Sequence, residues 1–201
     1  MDIRPLKIAG AYALTPRQWA DDRGVFLEWY RGDLLEEQFG VGIGLRQANT
    51  SVSRRGVLRG VHFADVPPGQ AKHVTVTHGS ALDIIVDIRV GSPTYGQVDA
   101  VLLDTVDRRA VYLAEGLGHA FLALEDDTTV SYLVSSTFDP VREHGISPLD
   151  PALQIDLPIP LDELIVSEKD AEAPTLDEAR QLGILPLWDD VRQYAGTVKA
   201  G

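Results

Sequence analysis

The stretch Lys72-His-Val-Thr-Val-Thr-His-Gly-Ser-Ala-Leu-Asp-Ile-Ile-Val-Asp-Ile-Arg89 contains two strands of different character, divided by Gly79-Ser80. Polar and apolar residues alternate over Lys72–His78, the pattern of a strand with one polar face. Ala81–Arg89 is mostly apolar and suits a strand covered on both faces. Outward from this pair, strands are expected at 43–53, 56–63, 71–78, 81–90, 98–104, 110–114, 119–125 and 129–136. Turn residues break them: Arg54-Arg55, Pro67-Pro-Gly69, Gly79-Ser80, Gly91-Ser-Pro93, Asp107, Gly116 to Gly118 and Asp126-Asp127. Eight short strands spaced about ten residues apart predict an antiparallel sandwich or barrel. An all-β, double-layered antiparallel β-roll of the cupin or jelly-roll kind, with short flanking helices, is the natural closure.

Ahead of the strands, residues 3–14 alternate weakly and supply an edge strand, and Thr15–Trp19 reads as a turn. Asp-Arg-Gly at 22–24 reads as a second turn before a strand over Val25–Tyr30, in which Phe26 and Glu28 share a face. Asp33–Phe39, closed by Gly40, predicts a short helix. Beyond Asp139 the chain becomes proline-rich and loop-like, and Thr175–Leu182 carries a capping box, Thr175 with Glu178. One domain over 1–201 is therefore expected. It comprises N-terminal strands and a helix (1–42), a β-roll core (43–138) and a loop-rich C-terminal wrap with short helices (139–201).

The net charge of −12 opposes broad binding to nucleic-acid backbones. Residues 1–72 nevertheless hold ten Lys/Arg against eight Asp/Glu, leaving about −14 for the remainder, so a local basic pocket for an anionic small molecule is compatible with the composition. The chain has no cysteine, which excludes disulfides, thiolate zinc sites and cysteine nucleophiles. No apolar run reaches bilayer length and the N-terminus lacks a secretory core, so a cytoplasmic protein without membrane contact is expected.

Gly56-Val-Leu-Arg-Gly-Val-His-Phe63 and the following Lys72 gather an arginine, a histidine and a lysine around one strand. Arg59 and His62 are three apart and would face opposite sides of a regular strand, yet Gly60 permits a bulge that turns both toward one cavity. An edge strand bearing solvated charges is the alternative. The histidines His62, His73, His78, His119 and His144 include no His-X-His pair, and His73 and His78 would face opposite sides, which argues against a metal site. His119, after Gly116-Leu-Gly118, is either aimed into a barrel mouth or structural, and His144 is expected in solvent. Val41-Gly-Ile-Gly44 lacks the features of a phosphate loop, so phosphate would fall to side chains such as Arg23 and Arg59. What remains is acid–base chemistry by His62, with Lys72 as electrostatic partner. From its surroundings alone, Tyr132 reads as a core tyrosine.

Several blocks in one order resemble the dTDP-4-keto-6-deoxyglucose 3,5-epimerase family. They are Asp22–Glu28, Gln47-Ala-Asn-Thr-Ser51, Gly56–His62, Pro67-Pro-Gly-Gln-Ala-Lys72, Asp83–Gly96, Glu115-Gly-Leu-Gly-His-Ala-Phe121, Asp150-Pro-Ala-Leu153 and Ser167-Glu-Lys-Asp170. The resemblance implies a cupin-type roll with no metal or organic cofactor, acting on a dTDP-linked keto-deoxysugar as a homodimer whose N-terminal strands cross between subunits. It implies His62 as general base, Asp170 as its carboxylate partner, Lys72 at the enolate oxygen and Tyr132 as the acid on the other face. Arg23, Arg59 and Lys169 match diphosphate positions, Phe26, Glu28, Gln47 and Phe138 surround the nucleoside, and Asn49 and His119 lie near the sugar.

The chain departs from the rhamnose-pathway pattern over His144–Asp150 and at Phe138, often tyrosine there. That drift resembles antibiotic-sugar epimerases and favours epimerisation at carbon 3. The 3,5-double reaction and 5-epimerisation stay open beside it, as do a metal-dependent cupin oxygenase or isomerase and a non-catalytic nucleotide-sugar binding module.

Overall fold

In a computed structural model of the chain, which describes residues 1–40 and 43–200, the backbone turns at Gly79 (φ +72°) and passes from one sheet into another. The two strands of the opening stretch therefore lie in different layers. Val41 and Gly42, half of the stretch set aside as a phosphate loop, fall outside the described residues.

The N-terminal part forms two hairpins, β1 (Asp2–Pro5) with β2 (Ala11–Thr15) and β3 (Gln18–Asp21) with β4 (Gly24–Leu27), then helix α1 (Gly32–Phe39). The central strands are β5 (Gln47–Ser53), β6 (Val57–Ala64), β7 (Lys72–His78), β8 (Ser80–Val86), β9 (Val98–Asp104), β10 (Ala110–Leu113), β11 (Gly118–Ala123) and β12 (Thr128–Val134). They are followed by β13 (Glu143–Gly145), β14 (Ile165–Val166) and helices α2 (Glu168–Ala171), α3 (Leu176–Gln181) and α4 (Trp188–Ala200).

One sheet runs β1-β2-β10-β7-β12-β5 and the other β13-β6-β11-β8-β9, with β14 added in parallel to β6. Alternation assigns each strand's two faces to two layers. Val74, Val76, Val111 and Val130 of the first sheet meet Ala81, Ile85, Val101 and Phe121 of the second in the core between them. The outward residues Leu58, Val61, Phe63, Ile84 and Leu122 are covered by the C-terminal wrap through Ile146, Leu153, Leu176 and Leu185. Outside the first sheet, Leu14, Tyr112 and Leu133 pack with Leu35 of α1. Each fully buried aliphatic side chain contributes roughly 1.5–3 kcal/mol.

Where element bounds differ from expectation, local polar chemistry explains several. The strand expected over 81–90 ends at Val86 because the next carboxylate anchors a turn. Asp87 accepts from Arg89, Ser92 and Thr94 at 2.6–2.8 Å, while Arg89 also donates to Ala9 O at 2.9 Å and lies over Trp188, 4.6 Å from the ring centre. Gly44 at φ +58° delays β5 to Gln47. The weak strand at 3–14 is a hairpin, and of the turn expected at 15–19 only Pro16 and Arg17 lie outside strands, Thr15 ending β2 and Gln18 opening β3. The strand expected over 25–30 is β4, ending at Leu27, and helix α1 begins one residue before Asp33, at Gly32, with Arg31 at its N-cap. The Thr175–Glu178 capping box is present in both directions at α3. β13 and β14 are too short to show periodicity, and the short helices expected in the C-terminal wrap include α2 and α4, whose bounds the sequence does not mark.

Candidate active site

Gly60 decides which way β6 presents its side chains. Leu58 and Val61 point into the outer cluster, whereas Arg59 and His62 both line the inner cavity, so the strand's alternation is broken between them. The pairing of β6 with β11 shifts register at this point. Gly60 has φ +114°, and an added Cβ would stand 2.5 Å from His119 O and 2.6 Å from Ala120 Cβ. Only glycine fits.

The irregularity also frees the Gly60 N–H, which donates to Asp170 Oδ2 at 3.4 Å. Asp170 Oδ1 lies 2.7 Å from His62 Nε2. α2 delivers this carboxylate: Ser167 caps the helix and receives the Asp170 N–H. Burial pushes the Asp170 carboxyl up, but the His62 hydrogen bond, with help from Ser167 and Gly60, outweighs it and holds the group below its ordinary value. An ionised Asp170 accepts only, so His62 Nε2–H donates and the Nδ1 lone pair is left free.

Arg59, His62, His119 and Phe121 of one sheet and Ser51, Lys72 and Tyr132 of the other enclose a cavity of about 180 Å³. This is the polar end of the space that is otherwise filled by the intersheet core. Lys72 pairs with Val134 and Tyr132 with Val74, so the two side chains are diagonal neighbours on one face. Burial lowers the Lys72 ammonium to about 8, opposed by the charges of Glu143 and Asp83. Burial raises the Tyr132 phenol, with Glu143 adding to the rise and Arg59 opposing it. At neutral pH the site therefore offers a cation, a protonated phenol and an imidazole held by a carboxylate. The tyrosine that sequence surroundings placed in the core is a half-buried cavity wall.

His119 Nε2 lies 2.8 Å from Asp83 Oδ2, so it both faces the cavity and has a buried partner. In the sequence Asp83 only opens the block Asp83–Gly96. Its signal was parity: it shares the inner face with Ala81 and Ile85, where a charge needs a partner. Gln47 donates to Asn49 Oδ1 at 2.7 Å and accepts from the Phe138 N–H at 3.1 Å, and the register sets Asn49 opposite Tyr132. Phe138 itself is exposed, and Lys169 is exposed on α2 beside Asp170.

Arg23, Phe26 and Glu28 are not gathered with these groups. Arg23 pairs with Asp21 at the tip of the exposed β3–β4 hairpin, Phe26 is 67% exposed, and Glu28 pairs with Arg31 at 3.1 Å. His73 lies on the opposite face of β7, bonded to Trp29 O at 2.9 Å and packed against Tyr30, so it is not assembled with His119. His144, expected in solvent, is partly buried against Phe63 and bonds Asp65 at 2.8 Å, because β13 pairs with β6.

A family model described as dTDP-4-dehydrorhamnose 3,5-epimerase matches residues 5–178. A protein of that name from Mycolicibacterium smegmatis is 54% identical over 199 residues, covering 99% of this chain and 98% of the relative. A dTDP-4-dehydrorhamnose 3-epimerase from Streptomyces niveus is 54% identical over 188 residues, covering 94% of this chain and 90% of the relative. The crystal structure of a 3'-monoepimerase from Streptomyces bikiniensis in complex with dTDP-quinovose matches with a TM-score of 0.96 at 43% identity, covering 98% of this chain and 100% of that one.

Proposed function

The chain belongs to the dTDP-4-dehydrorhamnose 3,5-epimerase family and is a dTDP-sugar epimerase; from that premise we propose that it inverts carbon 3 of a dTDP-4-keto-6-deoxyhexose. The observation that carries the mechanism is the 2.7 Å His62–Asp170 pair, which stands across one cavity from Lys72 and Tyr132. The hydrogen on carbon 3 is acidic only because the electron pair left behind delocalises onto the carbon 4 ketone. His62 Nδ1 takes that proton and Asp170 stabilises the imidazolium. The Lys72 ammonium balances the enolate oxygen, which lowers the barrier to abstraction.

Tyr132 then donates its phenolic proton to the opposite face of carbon 3 and the ketone re-forms. His62 comes from one sheet and Tyr132 from the other, which supports delivery from two faces. The tyrosinate and imidazolium return to their starting states by exchanging protons with solvent. No electrons enter or leave, so the cycle calls for no redox cofactor.

Arg59 and Lys169 supply the diphosphate side of the site. Gln47, Asn49, Phe138 and His119 surround the nucleoside and sugar in this reading, within a single cupin-type β-roll domain. Arg23, Phe26 and Glu28 reach a site by dimerisation. The hairpin that carries them exposes Val25 and Phe26, and β5 is an edge strand. Exposed apolar residues on the hairpin, together with the open edge of β5, support a homodimer with N-terminal strand exchange.

The relative named 3,5-epimerase supports the double reaction as a second reading, because the same base and acid would serve carbon 5. Incubation with dTDP-4-keto-6-deoxyglucose in deuterated water, read by proton NMR, tests both. Deuterium at carbon 3 alone is expected; incorporation at both carbons selects the double reaction, and none at either rejects the mechanism for this substrate.

A further inference from the structure

Among the described residues the Lys72 ammonium has no hydrogen-bond or ion-pair partner, although its residue is only 8% exposed. A buried cation in that position needs compensating negative charge, or it discharges. The charged and titratable groups facing it are Arg59 and His62 on β6, Asp83 on β8, His119 on β11, Tyr132 on β12 and Glu143 on β13. Asp83 is engaged by His119 through Oδ2 alone and its Oδ1 has no hydrogen-bond partner among the described residues, yet of the two carboxylates acting on Lys72 Glu143 has the larger effect.

Its position is set by pairing. Glu143 stands opposite Ala64 and Gly145 opposite His62, so the Glu143 side chain shares the inner face of the sheet with His62. β13 is only three residues long and cannot by itself fix a long side chain. Gln70, two residues before Lys72, does so. Its Nε2 donates to Glu143 Oε1 at 3.3 Å, to Ser136 Oγ at 3.3 Å and to Ser136 O at 3.4 Å. Alongside, the Ala71 N–H donates to Ser135 Oγ at 2.8 Å. One amide thus ties together the segments that carry Lys72, Tyr132 and Glu143.

We propose that Gln70 is a positioning residue that holds the Glu143 carboxylate toward Lys72 and thereby keeps the buried ammonium charged for enolate stabilisation. The proposal rests on the role given to Lys72 above. Without the Glu143 charge, burial acts on Lys72 opposed by Asp83 alone, and the ammonium titrates at lower pH.

The chain contains four lysines, Lys7, Lys72, Lys169 and Lys199, so the intact protein labelled with carbon-13 at the lysine ε position gives a readable titration without substrate. Lys72 should titrate near 8 in the wild type. In Gln70→Met, which preserves length and volume, and in Glu143→Gln, the midpoint should fall by about half to one pH unit. In Ser136→Ala, which leaves the contact to the carboxylate, it should stay. The alkaline limb of kcat should move with the Lys72 midpoint in each variant. An unmoved Lys72 midpoint in Glu143→Gln overturns the proposal even if Gln70→Met fails to fold, and so does a moved midpoint with an unmoved limb. A wild-type protein that exchanges no deuterium at carbon 3 or carbon 5 would instead reject the function while leaving the titration interpretable.

Discussion

His62 and Asp170 lie 108 positions apart in the chain and meet at 2.7 Å between Nε2 and Oδ1. The contact fixes the imidazole tautomer and leaves the Nδ1 lone pair free for the role of base in the proposed reaction. His62→Ala should lower kcat by at least about 100-fold, and Asp170→Asn by about tenfold or more, with circular dichroism unchanged. Rates of deuterium incorporation at carbon 3 check both. Asp170 has a depressed folded pKa, so its stabilising contribution is present above the ordinary carboxylate range and is lost as pH falls through the depressed value. Acid unfolding of Asp170→Asn should lack that component.

In the proposed reaction Lys72 sets the alkaline side of the activity profile. Only the charged ammonium stabilises an enolate, so kcat should fall as pH rises through about 8. Stability moves the other way. The folded value lies below the ordinary 10.5, so between about 8 and 10.5 the unfolded chain binds more protons and stability rises with pH. Lys72→Met should be inactive, more heat-stable than the parent at pH 7, and should lack the Lys72 component of that rise in calorimetry.

Tyr132 separates proton removal from inversion. In Tyr132→Phe the base and the cation remain, so carbon 3 should still exchange with deuterated water by return of the proton on the same face. Inverted product should fall by about 100-fold or more. Loss of exchange to the same degree as inversion would show that the phenol is needed for abstraction as well.

Gly60 positions both Arg59 and His62. Gly60→Ala places a Cβ against His119 O in a backbone region unfavourable to L-residues and should destabilise the fold by more than about 2 kcal/mol. Denaturant unfolding measures it. Gly183→Ala, also at positive φ but with open space around it, is the matched control and should cost less.

Arg23 reports on subunit crossing. If the hairpin completes the partner's cavity, Arg23→Ala and His62→Ala should each be inactive alone. Mixed and re-associated, they should recover about a quarter of wild-type activity, since half of the dimers are mixed and each has one intact site. No recovery despite mixed dimers would mean that Arg23 serves its own subunit's cavity or none.

Much of the architecture was legible because alternation is a local signal. The expected strands at 98–104 and 110–114 fall within a residue of β9 and β10. Shorter elements were not, because β14 is two residues long and offers no period to read. Legibility failed where a side chain outcompeted the ladder, as Asp87 does at the end of β8 by accepting from Ser92 and Thr94. Within the site, Gly60 announced a break in parity and Gln70 stood inside one of the resemblance blocks, whereas Glu143 gave no periodic or motif signal.

The sequence by itself determined that this protein is a strand-rich, cysteine-free acidic chain with a histidine, a lysine and a glycine-broken strand close together, and its ordered blocks carried the family. Only the tertiary structure decided that His119 and His144 also receive carboxylates, that Lys72 is buried among inner-face side chains, and that Arg23, Phe26 and Glu28 stand apart from the cavity of their own chain. The reason is physical. Alternation and turn chemistry act over a few residues, whereas a pKa and a proton path depend on burial and on charges brought together from distant parts of the chain when two sheets close.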